Sequence, residues 1–155
     1  MNKFKILFVV TAALVLQVAL NAQDIRTIET RVADLLARLP ADNQNLTVLL
    51  MEEMYSLGDE GTSLICEQVV PAGTGDDTKA RYAISTLTIH LTADKDNIRK
   101  SAWEKQCIRF MKWADNREVR AFFMKQLNLI GSDATVEALA DFSRVPIINK
   151  RVLGG

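Results

Sequence analysis

Histidine occurs once and cysteine twice in these 155 residues, so the side chains on which most nucleophilic and metal chemistry draws are scarce. Any catalytic triad or histidine-bearing metal site would have to use His90, which sits in Thr88-Ile89-His90-Leu91 with no acid in the helical turn before it. Its expected role is that of a polar residue between helices. Cys66 and Cys107 form no Cys-x-x-Cys motif, and no second histidine completes a zinc pattern. Both fall on apolar helical stripes, where cysteine acts as a small hydrophobe, so reduced thiols are expected, with a disulfide between them as the alternative that export would permit. Charge of one sign is also missing: 19 Lys and Arg face 19 Asp and Glu. Without a basic field to collect phosphates, neither nucleic acid nor an anionic membrane is an expected partner.

The loop Gly73-Thr74-Gly75-Asp76-Asp77-Thr78 lacks the lysine of a phosphate cradle, and its adjacent carboxylates would repel an anion. Calcium would find hard oxygens there but too few of them, so helix capping is the expected role. Glu52-Glu53 and Asp59-Glu60 are carboxylate pairs of the kind glycosidases use, although exposed helix faces carry such pairs routinely. No catalytic, cofactor or metal site is therefore expected. Asn45-Leu46-Thr47 is a formal glycosylation sequon, relevant only in a eukaryotic source.

What is present begins with an export signal. Lys3 and Lys5 precede an apolar run from Ile6 to Leu20, broken only by Thr11 and Gln17, and Asn21-Ala22 leads into polar Gln23. The run is too short for a stable membrane span, so cleavage after Ala22 is expected, giving residues 1–22 as signal. Both lysines go with it, leaving a mature chain of net −2 in a periplasm or outside the cell, without stable membrane insertion.

Helical periodicity fills the rest. Ile25, Ile28, Val32, Leu35, Leu36 and Leu39 form one stripe before Pro40. Leu46, Leu49, Leu50, Met54 and Leu57 form a second, which Gly58 ends. An Asp59-Glu60-Gly61 turn then leads to Leu64, Ile65, Val69 and Val70, closed by Pro71. Ala80, Ala83, Ile84, Leu87 and Leu91 make a fourth stripe, although Leu87, Ile89 and Leu91 also alternate as a short strand would. No second strand signal exists to pair with it, so helix is expected. Asp96 caps a segment striped by Trp103, Cys107, Met111 and Ala114, which Asp115-Asn116 breaks. Val119, Phe123, Leu127 and Ile130 stripe the next, Gly131 ends it, and Val136, Leu139 and Phe142 line the last. The fold class is all-α.

Leu57-Gly58-Asp59-Glu60-Gly61 and Ile130-Gly131-Ser132-Asp133-Ala134 are alike, each closing a helix with glycine and opening a shorter one. The stretch from Asp115 to Phe142, with Val119-Arg120, Leu127, Ile130-Gly131, Val136 and Leu139, resembles a HEAT or HEAT-like repeat. Phe122 and Phe123 depart from it, standing where such repeats pack small residues. Lys79-Ala80-Arg81 with Ala83 and Leu87 resembles the same pattern more weakly, and Leu46 to Val70 resembles one hairpin. The resemblance implies an α-solenoid of antiparallel hairpins over residues 23–143 that presents a surface to another protein and has no activity of its own. Stacking is physically required, because one hairpin cannot bury its apolar face alone.

Residues 144–155 depart from the pattern as an apolar, irregular tail without the polar cap of a terminal repeat. Either the tail folds back over the last hairpin, or the chain is the N-terminal part of a longer array associated with carbohydrate processing. The aromatics are Trp103, Trp113, Tyr82, Phe110, Phe122 and Phe123, of which Phe110, Trp113 and Phe122 lie off the main stripes of their own segments. Phe110, Trp113 and Phe122 are therefore the candidate contacts for a protein partner, against the commoner role of filling space between hairpins.

Overall fold

The computed structural model describes residues 26–144. The expected signal, Ile25 and the tail from 145 onward lie outside the described residues. Within them are seven helices and no strand, as the periodicity predicts: α1 (Ile28–Ala37), α2 (Gln44–Ser56), α3 (Gly58–Glu67), α4 (Thr78–Thr92), α5 (Asn97–Trp113), α6 (Arg117–Ile130) and α7 (Asp133–Arg144). None is long and apolar enough to cross a membrane.

Side-chain caps set most of the helix starts. Thr27 accepts from the Thr30 N–H, Asn43 from Leu46, Asp96 from Ile98, and Asn116 from both Glu118 and Val119. Each supplies an acceptor to backbone donors that have no partner within the helix. The strand alternative in α4 fails on phase: Ile84, Leu87 and Leu91 are fully buried while Ile89 is 60% exposed. A strand with that sequence would put Leu87, Ile89 and Leu91 on one face.

Three expectations change. The Asp59-Glu60-Gly61 segment is no turn but the start of α3, because Gly58 alone, at φ 68, reverses the chain after Leu57. Its counterpart Gly131 is extended at φ −65 and ψ 149, and is glycine for another reason: a Cβ there would lie 2.5 Å from the Leu127 carbonyl and 2.7 Å from Thr135 Oγ1. The two turns that look alike in sequence are therefore different structures. Finally, α7 is rotated from its expected register, with Val136 65% exposed and Leu139 at the surface while Thr135 and Ala138 are buried. Leu49 on α2 is likewise exposed, and Met51 takes its place in the core.

The core is a single cluster running from Val32 to Ile130. Beyond sequence neighbours, α1 packs on α3, α3 on α5 and α5 on α7, while α2 packs on α4 and α4 on α6. The Arg81 guanidinium covers the Phe122 ring, and one turn further along both helices Gln126 bonds Ser85, so α4 and α6 run in the same direction.

Candidate functional site

The three candidate contacts are not equivalent. Phe110 is buried at 5% exposure, stacked on Phe123 with ring centroids 5.5 Å apart, so its expected place on the surface is corrected: it belongs to the core joining α5 to α6. Phe122 is half-buried between Phe123 and the Arg81 guanidinium, on the α4 side of α6. Trp113 is the surface aromatic. It is 69% exposed, yet its ring meets the edge of Phe110 at 5.9 Å and 81°, which orients it on the final turn of α5.

Beside Trp113 lies a depression of about 380 Å³ between α3 and α5, walled by Glu60, Ser63, Leu64 and Glu67 on one side and Arg109, Phe110 and Trp113 on the other. Glu60, Leu64 and Glu67 recur at helical spacing, which makes them the outward stripe of α3. Ser63 Oγ accepts from Gln106 Nε2 at 2.7 Å and from Arg109, whose guanidinium also lies 5.0 Å from the Phe110 centroid. The stripe is visible in the sequence. Its position against Trp113 is not, because the two meet only when α3 packs on α5.

This depression does bring carboxylates and an aromatic ring onto one surface, as a carbohydrate-cleaving site would. Glu60 and Glu67, however, stand on one helix two turns apart, about 10 Å at 1.5 Å per residue. A glycosidase needs its two carboxyls on opposite sides of the scissile bond and closer together.

A second cluster joins α2, α4 and α5. His90 finds the acid that its own helix lacks on α2: its Nε2 lies 2.6 Å from Glu52 Oε1. Arg99 donates to both Glu52 oxygens at 3.0 Å and to Asp94 at 2.8 Å, and its guanidinium lies 4.4 Å from the Tyr55 centroid. The hydrogen bond from His90 chiefly holds the Glu52 carboxyl below its usual range, with Arg99 adding to it against the upward push of burial. The neighbouring Glu53 turns away to Arg38, so Glu52-Glu53 is not an acid–base pair. The hollow at this cluster is lined by Glu52, His90, Ala93, Asp94 and Arg99, with no hydroxyl or thiol among them to be activated. It is a clasp between helices.

The glycine loop caps one helix and ties it to the segment before it. Asp76 accepts from the Thr78 N–H at 3.0 Å, while Asp77 turns back to accept from Val70 N–H at 2.9 Å and Arg81 Nε at 2.6 Å. Among the described residues no group of three or more His, Cys, Asp or Glu is placed to hold a metal ion. One carboxylate escaped the sequence analysis entirely. Glu104, buried on α5, accepts from Ser132 N–H at 2.7 Å and Thr135 Oγ1 at 2.6 Å, and so caps α7 from outside that helix.

In comparisons with protein families, curated proteins and solved structures, the chain matches none of the three.

Proposed function

We propose that this chain is an exported, non-enzymatic helical-repeat scaffold of the HEAT-like solenoid type, binding a protein partner through the outer face of α3 and α5. The observation that carries the reading is a recurrence. Three side-chain bonds between alternate helices join residues at similar intervals, 38 apart for His90 and Glu52, 43 for Gln106 and Ser63, and 41 for Gln126 and Ser85, while the α5–α7 bond of Glu104 and Thr135 spans 31. HEAT units are roughly 40–47 residues long. A chain whose alternate helices meet at similar intervals in three successive pairs behaves as a stack, and stacks act through the surfaces they display. The exposed, oriented indole of Trp113 marks such a surface, since tryptophan is a favoured anchor in protein interfaces.

The test is affinity capture from the protein's own envelope extract with the mature chain, its Trp113→Ala variant and an Ile98→Ala control. A protein retained by the first and third and lost by the second supports the reading. Identical retention by all three overturns it. Export is checked separately: N-terminal sequencing of the recovered protein is expected to begin at Gln23. A second reading, the N-terminal part of a longer array, is supported by Val136 and Leu139, exposed on α7 where a further hairpin would pack.

A further inference from the structure

We infer that the partner presents an extended basic segment, which crosses α3 and seats a cationic side chain between the Trp113 ring and the carboxylates of Glu60 and Glu67; this rests on the protein-binding reading above. Among the described residues neither Glu60 nor Glu67 takes part in an ion pair. The cations on the same face are fewer: Arg109, which donates to Ser63 and lies over Phe110, and Lys79, whose Nζ donates to the Ala37 carbonyl at 3.2 Å, both keep their charge because those acceptors are neutral. Against the four carboxylates Glu29, Glu60, Glu67 and Asp76, these two cations leave the lining of the two grooves on this face at a formal −2.

The ring adds to this. An indole face attracts lysine or arginine, by about 0.5–1 kcal/mol at an exposed site, and the edge contact with Phe110 holds Trp113 in place for it. The path beyond the ring explains why the segment is extended. A second groove, of about 610 Å³ between α1 and α3, shares Leu64 and Glu67 with the first and is bordered by Glu29, Asp76 and Lys79. A strand-like segment that rests its aliphatic parts on Leu64 meets carboxylates on either side of α3. Crossing one helix diameter and both grooves takes about 20 Å, or roughly six extended residues. An acidic segment would meet like charge at four of the six charged side chains that line this face. A polysaccharide would stack on the indole but would leave Glu60 and Glu67 without counter-charges.

The experiment uses the mature protein and two blocked octapeptides, one alternating lysine and glycine, the other glutamate and glycine. Binding is followed by anisotropy of a labelled peptide and by acrylamide quenching of tryptophan. Trp103 is buried with its indole N–H bonded to Thr88, so quenching reports Trp113. The lysine peptide is expected to bind at least tenfold more tightly than the glutamate peptide and to shield Trp113. Trp113→Ala, and separately Glu60→Gln with Glu67→Gln, are each expected to weaken it at least fivefold, and Ile98→Ala to leave it unchanged. Circular dichroism confirms that the variants fold.

Equal or tighter binding of the glutamate peptide, or binding insensitive to Trp113 and the two glutamates, overturns the inference. So does shielding of Trp113 by cellohexaose or chitohexaose without shielding by the lysine peptide, which assigns the surface to sugar. If the lysine peptide fails while capture of a protein still depends on Trp113, the basic segment is wrong and the scaffold reading stands. Loss of both removes the two together.

Discussion

Leu127 and Lys125 sit two positions apart on α6 and have opposite fates, one 2% exposed in the core and the other on the surface. Truncating a buried leucine removes its transfer free energy and leaves a cavity, so Leu127→Ala is expected to cost about 2–5 kcal/mol. Lys125→Ala is expected to cost under about 0.5 kcal/mol. Denaturant melts of the two variants decide it, and equal midpoints would reject the register of α6. The thiols give a second test at this scale. Cys66 and Cys107 are free and buried, and burial is the main cause that pushes both thiols well above the usual range. A neutral, inaccessible thiol is a poor nucleophile. Both are expected to resist a thiol reagent in the native protein and to react at once in denaturant, with a native mass matching two free thiols. Rapid native labelling or a mass two hydrogens lighter would contradict this.

At the scale of the element, α7 depends on a group outside itself. Glu104 on α5 accepts from the backbone and hydroxyl groups of Ser132 and Thr135, and without it the donors at the start of α7 lose their acceptor. Leaving a buried donor unsatisfied costs about 1–3 kcal/mol. Glu104→Ala is therefore expected to raise amide exchange along α7 while α4 and α6 keep their protection, as hydrogen exchange would show. Equal exchange in α7 of both proteins would refute the cap. This bond also explains the register of α7: Thr135 must face inward to reach Glu104, and that turns Val136 out to solvent. A hydrophobic periodicity has no means of registering a polar anchor on another helix.

Across the whole molecule, the helices are joined by carboxylates whose charge matters. Burial tends to push Glu104 up, but the bonds from Thr135 and Ser132 outweigh it and hold the carboxyl below its usual range; Glu52 is held low chiefly by His90. A carboxylate with a depressed folded value contributes stability that is fully present above the unfolded value and is lost as pH falls through the folded one. Denaturant midpoints are thus expected to be level, as far as these two groups go, above about pH 5 and to fall below about pH 4, near the ordinary glutamate range. The gap between the wild type and Glu104→Gln is expected to narrow over the same acid interval. A gap unchanged down to pH 3 would mean that Glu104 is not an ionised cap. By itself the sequence determined that the described chain is helical, roughly where its helices lie, and which stripes of Val32, Ile84, Met111 and Phe123 enter the core, because backbone period and apolar burial are local properties. Only the tertiary structure decided that His90 meets Glu52, that Glu104 caps α7, that Phe110 is core while Trp113 is surface, and that Glu60 and Glu67 stand beside that indole. Each of these joins residues distant in sequence, and no periodicity specifies which faces of two separate helices will meet.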